Sequence, residues 1–422
     1  MFKVLKNSWA LFTGLTFMMI AHGLQGTLLG VRATYENFNL IEIGAMMSGF
    51  YIGYLVGAQK LTNIVYKVGH IRVFAALASL ASFVILLHAL FVNPYTWLVS
   101  RFISGFCIVG IHIIVESWLN DRANNRTRGQ LLSVYMMIIY TGMGAGMFLL
   151  SVTNPKAYEP FIIISLLMSL ALIPILLTKR KAPTFRKIKA ITISKLYEIS
   201  PYGTVTSFLF GLAISSLFTL LAVYCASKNF SLFEISFTTF LFTFSGAISQ
   251  WPIGYISDRF DRRKVIVVIA IGASLAAFSL SQFTTSIGDL NASKLLFYLL
   301  IFAYAFLSMP IFSLCISHTN DLIEKDNIVS AGAGLNFLYG IGAICGPILC
   351  SGFMSFYGPE GFFIFILITH LITVIYGIHR IFMKKGIVSD SSFVAIPRAT
   401  SPLALELSPE ADPMPAERKE NV

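Results

Sequence analysis

Twelve long apolar runs follow one another along this chain of 422 residues. Each has the roughly 20 residues that an α-helix needs to cross a hydrocarbon core about 30 Å thick. Hydrophobic residues make up 56% of the chain and charged residues only 12%, against about 25% in an average soluble protein. The sequence therefore predicts an all-α, polytopic membrane protein with twelve transmembrane helices. The predicted spans are Trp9 to Val31, Ile43 to Leu61, Val73 to Phe91, Thr96 to Leu119, Leu131 to Val152, Phe161 to Leu177, Tyr202 to Tyr224, Ile235 to Ile256, Val265 to Phe283, Leu295 to Ile316, Val329 to Phe353 and Phe362 to Ile378.

The basic residues sort to one side of these spans. If the amino terminus is cytoplasmic, 26 of the 31 Lys and Arg fall on the cytoplasmic side, Arg101 falls within a span, and Arg32, Lys156, Lys228 and Lys294 lie outside. Because membrane insertion keeps Lys and Arg on the cytoplasmic side of span ends, both termini are predicted to be cytoplasmic. The formal net charge of +11 then belongs to loops that face anionic headgroups, so no nucleic-acid partner is expected.

The spacing of the runs predicts two bundles and two connecting segments. We expect an N-terminal six-helix bundle over residues 1–180, a cytoplasmic basic linker over 181–200 and a C-terminal six-helix bundle over 201–386. Ile193 to Ile199 is expected to form a short amphipathic helix on the inner leaflet. The last residues, 387–422, are rich in Ser, Pro, Ala and Glu, which predicts a disordered cytoplasmic tail.

The loop between the eighth and ninth predicted spans reads Gly254-Tyr-Ile-Ser-Asp258-Arg259-Phe-Asp261-Arg262-Arg263-Lys264. It resembles the cytoplasmic loop motif of the major facilitator superfamily of secondary transporters, with Asp261 where the family has its second Gly. In the first-half counterpart, Tyr66 to Arg72, a Tyr replaces the acidic residue of the family motif.

Further segments are similar to family signatures. They are Arg101-Phe-Ile-Ser-Gly105, Gly340-Ile-Gly-Ala-Ile-Cys-Gly346-Pro347 and Glu116-Ser-Trp-Leu-Asn120-Asp121, and the last resembles a poorly characterised bacterial subgroup often called YcaD-like. The resemblance covers roughly residues 10–385. It implies two bundles that rock about a midplane substrate site, a monomer in the bacterial inner membrane, and no cofactor.

Charged residues near the predicted cytoplasmic span ends form a candidate gate. Asp258 is expected to face the amino-terminal end of the fifth helix, and Arg262 to pair with Asp321 or Glu324, so that the halves are held closed. Solvated loop charges are the alternative. Glu116 is expected to form a structural ion pair with the basic loops. The candidate gate residues are Lys67, Arg72, Glu116, Asp258, Arg259, Arg262, Asp321 and Glu324.

Polar side chains within the spans predict a central cavity. Arg101 lies about 9 Å inside the outer boundary, where a charge must face a cavity, a partner or the interface. His112 returns to nearly the same helix face, and His22 and Gln25 lie one turn apart in the first span. Polar packing between helices is the alternative for each. The candidate cavity residues are His22, Gln25, Arg101, His112, Tyr224, Gln250, Tyr304, Asn336 and Tyr339.

The placement of acidic residues limits the substrate class. All 20 Asp and Glu are expected at span ends, in loops or in the tail, which argues against a buried cation site and favours a small neutral or anionic solute. Proton coupling through His22, His112, Glu116 or the substrate and facilitated diffusion both remain open. No phosphate loop, metal-ligand spacing or nucleophile motif indicates an enzyme, and the five cysteines are expected as buried apolar residues.

These patterns predict a secondary transporter that works by alternating access. A membrane sensor or assembly protein that keeps the fold without transport is one alternative. Efflux of lipids or drugs is another. The expected partners are a small-molecule substrate, protons and the lipid bilayer.

Overall fold

The computed structural model describes residues 2–123, 127–177, 191–283, 290–383, 393–396 and 402–407. Its regular structure within these residues is fifteen α-helices and three short 3-10 turns. The helices are α1 Phe2–Tyr35, α2 Leu40–Val68, α3 His70–Leu90, α4 Pro94–Arg122, α5 Arg128–Leu149, α6 Glu159–Leu170, α7 Leu172–Leu176, α8 Ile193–Ile199, α9 Pro201–Ser227, α10 Leu232–Ser257, α11 Arg262–Phe283, α12 Leu290–Ser308, α13 Ile311–Asn320, α14 Ile328–Tyr357 and α15 Gly361–Met383. The turns are Leu150–Val152, Lys325–Asn327 and Pro402–Leu407.

The number of spans agrees with the sequence. Twelve helical segments are long and apolar enough to cross a membrane, and each overlaps one of the predicted runs. Two of the spans are broken, the sixth between α6 and α7 and the tenth between α12 and α13. Proline explains both breaks, because Pro174 cannot donate to the carbonyl of Leu170 and Pro310 ends the regular hydrogen bonding before α13.

Several helices extend beyond the predicted apolar runs because polar caps lengthen them. The side chain of Asn39 accepts a hydrogen bond from the Glu42 backbone N–H at 2.8 Å, and the Glu42 carboxylate accepts one from the Asn39 N–H at 2.9 Å. Ser231 and Glu234 repeat this capping box at the start of α10. Such caps satisfy backbone N–H groups at the start of a helix. A pattern of apolar residues does not reveal the caps, so it underestimates the length of the helix.

The helices pair in the same way in the two halves of the chain. In the first half, α1 to α7, α1 packs on α5, α2 on α4, and α3 on α6. In the second half, α9 to α15, the corresponding pairs are α9 with α14, α10 with α12, and α11 with α15. The fold is therefore two six-span bundles built on one packing plan, as parallel repeats require.

The two ends of the helix assembly differ in their basic residues, and we call them the basic face and the opposite face. The basic face carries Lys67, Arg122, Arg262 and Arg380, and the opposite face carries Arg32, Lys156 and Lys228. The halves touch through α1 and α9, α2 and α14, and α5 and α10. Close to the opposite face, a Cβ on Gly30 would lie 3.1 Å from Val223, and one on Gly44 would lie 2.1 Å from the Ser351 hydroxyl. The halves are thus closed against each other at the opposite face.

The predicted amphipathic helix is present as α8, whose first turn is capped by the Thr192 side chain on the Lys195 N–H. The part of the basic linker from 181 to 190 lies outside the described residues. In the tail, two described segments differ from the expectation of disorder. Phe393–Ile396 packs onto the helices, and Pro402–Leu407 forms a 3-10 turn whose leucines are buried.

Candidate functional site

Arg101 is buried inside the fourth span and lies against aromatic side chains. Its side chain is 2% exposed, and its guanidinium carbon lies 4.6 Å from the centre of the Phe50 ring on α2. Nε and Nη1 of Arg101 have no hydrogen-bond partner among the described residues. A cation over a ring is stabilised by about 2 kcal/mol when desolvated, which offsets only part of the cost of a buried charge. The unfilled donors favour an additional, anionic or strongly polar group at this position.

Close packing of α2 and α4 brings Phe50 to Arg101. A Cβ on Gly53 would lie 1.8 Å from the Phe102 carbonyl oxygen, and one on Gly105 would lie 1.9 Å from the Phe50 carbonyl oxygen. Only glycine allows two helices to approach this closely, as small residues do in membrane spans. The spacing of Gly49, Gly53 and Gly57 is the sequence signal that would have located this contact.

Residues of α1 complete the surroundings of Arg101. The His22 ring stacks on the Phe50 ring at 5.2 Å between centroids and is partly exposed. Gln25 donates to the Ser104 hydroxyl at 3.2 Å, while its Oε1 has no hydrogen-bond partner among the described residues. His22, Gln25 and Arg101, which were predicted as cavity residues, therefore belong to one cluster, which we call the Arg101 cluster together with Phe50 and Ser104.

A chain of three hydrogen-bonded groups joins α4 to α5. His112 Nδ1 lies 2.7 Å from the Tyr135 hydroxyl, and this hydroxyl donates to the Glu116 carboxylate at 2.6 Å. All three side chains are buried, and Glu116 is 0% exposed. Tyr135 was missed from the sequence, because a tyrosine in an apolar run gives no sign of its partner.

The described contact of Glu116 lies inside the bundle. Lys67 and Arg72, two of the basic residues expected near it, are exposed at the basic face, whereas Glu116 bonds to Tyr135. Because α4 continues to Arg122, Glu116 lies about 9 Å from the helix end. Its role in a gate stays a prediction.

Tyr54 lies close to the Arg101 cluster and within electrostatic range of Glu116. Its ring lies 6.1 Å from Phe50, and it is within electrostatic range of Glu116 and of Tyr339 on α14. The Tyr54 hydroxyl is buried without a hydrogen-bond partner among the described residues. Tyr54 thus lies where α2 of the first half packs on α14 of the second.

Two predicted cavity residues instead lie in the packed interior of the second half. Tyr224 is fully buried and stacks on Phe362 at 5.5 Å. Tyr304 lies beside Ser308, whose hydroxyl is 3.0 Å from His370 Nε2 on α15. These tyrosines belong to helix packing, since aromatic clusters and polar contacts between spans bury them within one half.

The remaining predicted cavity residues lie on α10 and α14. Gln250 accepts a hydrogen bond from the Ser313 hydroxyl at 3.2 Å and is 6% exposed. Tyr339 packs on Phe312 at 5.2 Å, and Asn336 is partly exposed one turn away. Gln250 and Ser313 lie close to the tail segment Phe393–Ile396.

The charged loop residues pair within the second half. Arg262 is 1% exposed and lies 3.3 Å from Asp258 and 3.2 Å from Asp321. Glu324 is exposed, and Arg259 lies over the Tyr255 ring at 4.1 Å. The Asp258 carboxylate also accepts a hydrogen bond from the Phe393 N–H. A contact of Asp258 with α5 stays a prediction for a conformation that is closed at the basic face.

Asp261, which stands where the loop motif has glycine, has a partner of its own. The Arg263 guanidinium lies 2.8 Å from its carboxylate, and the Arg263 backbone N–H donates to it at 3.0 Å. Burial alone would raise the pKa of Asp261, but these hydrogen bonds outweigh it and hold the pKa of the carboxyl below its usual range. The departure from the motif therefore adds an ion pair beside Arg262.

Comparison with known sequences gives one family. A sequence model of the Major Facilitator Superfamily matches residues 11–320 and 203–385. The uncharacterised MFS-type transporter YcaD of Escherichia fergusonii is 24% identical over 361 residues, which cover 84% of this chain and 91% of that protein. YcaD of Escherichia coli is 25% identical over 365 residues with the same coverage.

Solved structures share the fold. The nucleoside transporter NupG superposes with a TM-score of 0.74 at 15% identity, covering 90% of this chain and 100% of NupG. A bacterial homologue of the human lysosomal transporter Spinster, in an inward-facing and unoccupied conformation, gives 0.70 at 13% identity, covering 90% and 96%. The Escherichia coli fucose:proton symporter FucP gives 0.55 at 15% identity, covering 89% and 99%. With the sequence model spanning both bundles, this chain belongs to the Major Facilitator Superfamily and is a multi-pass membrane protein of that transporter family.

Proposed function

We propose that this protein is a secondary transporter that carries a small neutral or anionic solute by alternating access. The observation that carries the proposal is the Arg101 cluster. A guanidinium buried in a span, with donors that no described residue fills, suits a carboxylate, a phosphate or a polar oxygen of a solute. His22, Gln25 and Tyr54 offer further polar atoms around it.

The proposed orientation places the basic face in the cytoplasm and the protein in a bacterial inner membrane. The excess of Lys and Arg at this face supports the orientation, and the Escherichia relatives support the membrane. With the halves closed at the opposite face, the present conformation is then inward-facing, and the inward-facing Spinster homologue is among its structural neighbours. We expect the protein to work as a monomer with one substrate site between the bundles.

The chain of His112, Tyr135 and Glu116 is our candidate for proton coupling. A buried carboxylate bonded through a hydroxyl to an imidazole has the groups needed to gain and lose a proton within the membrane. Glu116 lies within electrostatic range of Tyr54, on the helix α2 that packs against α14 of the second half. A change in its protonation would then bias the movement of the halves.

The first experiment follows proton movement in proteoliposomes loaded with a pH-reporting dye and challenged with neutral, anionic and cationic metabolites. A pH change with an anionic or neutral solute supports the proposal. A response to cations alone would overturn the substrate class. If neither the full chain nor a chain ending at Gly386 gives a pH change, the second candidate function is favoured, that of a sensor or assembly protein. The burial of the tail residues Leu403, Leu405 and Leu407 at the basic face supports this second candidate.

Two variants test the named residues with the responding solute. Arg101→Gln is expected to weaken solute binding about a hundredfold, which corresponds to about 2.7 kcal/mol, while membrane insertion stays unchanged. Glu116→Gln is expected to abolish solute-driven proton movement but to leave counterflow, which needs no net proton transfer. Lys195→Gln, on the exposed side of α8, is the matched control and should change neither assay.

A further inference from the structure

The carboxyl-terminal tail contains two apolar clusters within a polar segment. They are Phe393-Val-Ala-Ile396 and Leu403-Ala-Leu-Glu-Leu407, separated and flanked by Ser, Pro and charged residues. Both clusters are described by the structure, and we refer to them together as the tail plug. A segment of this composition gains free energy by burying its apolar side chains against a membrane protein's interior.

The first cluster of the tail plug binds the loop motif of α10. The Phe393 N–H donates to the Asp258 carboxylate at 2.6 Å. The Phe393 ring fills the space above Gly254, where a Cβ would lie 2.2 Å from the ring. Gly254 and Asp258 are the first and second signature residues of the superfamily loop motif, so the tail occupies the surface that the gate would use.

The same cluster reaches into the bundle between α10 and α13. The Ile396 N–H donates to the Ser313 hydroxyl at 3.2 Å, this hydroxyl also lies 3.3 Å from the Ile396 carbonyl oxygen, and Ile396 is 4% exposed. Ser313 lies seven residues before Asn320, the end of α13, and therefore about 10 Å inside the basic face. Because Ser313 bonds to Gln250, the tail extends to the level of a predicted cavity residue.

The second cluster of the tail plug lies between the two halves. The Asn120 side chain of α4 donates to the Leu403 carbonyl oxygen at 2.7 Å, and a Cβ on Gly332 of α14 would lie 2.5 Å from the Leu405 side chain. The turn also contacts α5. Its buried residues are Leu403, Ala404, Leu405 and Leu407.

We propose that the tail plug is an autoinhibitory element that binds only the conformation open at the basic face and blocks solute entry from that face. Two contacts make the tail plug selective for the conformation that is open at the basic face. The second cluster separates α4 and α5 from α14, so it must leave before the halves can close at the basic face. The first cluster uses Asp258, which then cannot pair with the opposing half. The tail therefore both fills the entrance and holds the transporter in one state.

Disulfide cross-linking tests whether the tail binds at these positions. The Leu405 Cγ lies 3.3 Å from an ideal Cβ on Gly332, so the two Cβ atoms are separated by less than about 4.9 Å, which permits a disulfide after slight adjustment. In a full chain carrying Cys345→Ala, since the other four cysteines are buried, the pair Gly332→Cys and Leu405→Cys should cross-link on mild oxidation. The pair Gly352→Cys and Leu405→Cys, on the same helix but far from the tail, should not.

Alkylation of a cysteine at position 313 tests whether the tail covers the entrance. In the purified full chain, Ser313→Cys is expected to react with a polar maleimide about tenfold more slowly than in the same variant ending at Gly386, because the tail covers this position most of the time. Leu405→Asp in the full chain should reproduce the faster reaction, since an aspartate cannot remain in the apolar cleft. Ser308→Cys, buried beside His370, is the control and should react slowly in every chain.

Equal alkylation rates in the full and shortened chains would overturn the inference, and so would an absence of cross-linking between positions 332 and 405. Neither measurement requires a transported solute, so a failure of the proposed function leaves both readouts intact. If a solute has been identified, oxidation of the Gly332→Cys and Leu405→Cys pair should stop its transport, and reduction should restore it. Transport that continues through the cross-linked form would equally contradict autoinhibition.

Discussion

At the scale of single residues, three buried charged groups, Arg101, Glu116 and Arg262, each contact one or two specific partners. Arg101 is placed on Phe50, Glu116 bonds to Tyr135, and Arg262 lies between two aspartates. Burial makes each of these contacts stronger than its counterpart in water and makes the loss of one partner costly. Substitutions at these positions should therefore separate effects on stability from effects on transport.

Asp261 provides a residue-scale prediction with a defined pH dependence. Its pKa is held below the usual range in the folded protein, so its ion pair with Arg263 stabilises the fold above the unfolded pKa of about 3.9 and is lost as pH falls through the folded pKa. Asp261→Asn should cost about 1 to 3 kcal/mol at pH 7. Thermal unfolding in detergent should show a difference from the unmodified protein that shrinks below about pH 4.

The exposed Asp326 is the matched control for this experiment. Asp326→Asn should leave the unfolding temperature unchanged across the same pH range. A destabilisation by Asp261→Asn that is equally large at acidic pH would contradict an electrostatic origin.

At the scale of helices, close approach through glycine sets the geometry of the site. Contact between α2 and α4 brings Phe50 to Arg101, and Gly211 and Gly342 allow a similarly close approach between α9 and α14 in the second half. In lipid there is no hydrophobic drive between helices, so tight packing of small residues must supply the stability. A methyl group added to such a contact should therefore push the two helices apart and displace the side chains of the site.

The element-scale prediction compares two glycines. Gly53→Ala would place a methyl 1.8 Å from the Phe102 carbonyl oxygen and should destabilise the protein by about 1 to 3 kcal/mol. Gly26→Ala, in α1, would place a methyl with no atom of the described residues within 4 Å and should instead stabilise its helix by up to about 1 kcal/mol. Unfolding temperatures in detergent would distinguish them, and a similar loss in both variants would show that the contact is not decisive.

The sequence predicted the elements well and their contacts only in part. The length of the apolar runs located all twelve spans, because this signal is local in the chain. The position of Tyr224 inside an aromatic cluster, and the bond between Tyr135 and Glu116, depend on helix rotation and on residues distant in sequence. The rotation of a helix about its axis cannot be read from the sequence when nearly every position of the span is apolar.

The tail was the largest departure from the sequence expectation. Proline and polar residues predicted disorder over the whole segment, and an average of the composition hides two clusters of four apolar residues each. Leu403, Leu405 and Leu407 have no core of their own, so their burial requires the cleft between the halves. A local pattern cannot show that such a cleft exists.

At the scale of the whole molecule, the halves are in contact at the opposite face and separated by the tail at the basic face. Alternating access requires the first contact to break. An ideal Cβ on Gly30 lies 3.1 Å from Val223 Cγ2, which leaves the two Cβ atoms less than about 4.6 Å apart and within reach of a disulfide. This pair lies across α1 and α9, one helix from each half.

The whole-molecule prediction is that oxidation of a Gly30→Cys and Val223→Cys pair stops solute uptake and that reduction restores it. The matched pair is Gly272→Cys and Leu307→Cys, which joins α11 to α12 within the second half and should leave uptake unchanged when oxidised. Uptake would be measured in proteoliposomes with the solute found in the dye assay. Undiminished uptake with the first pair fully oxidised would contradict a rocking movement of the halves.

The repeated helix pairing has a consequence for how such a protein can diversify. The two bundles share one packing plan but hold different charged groups. The first bundle contains the buried Arg101 and Glu116. The second contains the ion pairs of Arg262 and binds the first cluster of the tail. The second cluster of the tail contacts both halves, because it bonds to Asn120 of α4 and packs on α14. Hybrids made by joining the first bundle of one relative to the second bundle of another should therefore take solute choice from the parent of the first bundle, and they should lose control by the tail when the two bundles no longer form its cleft together.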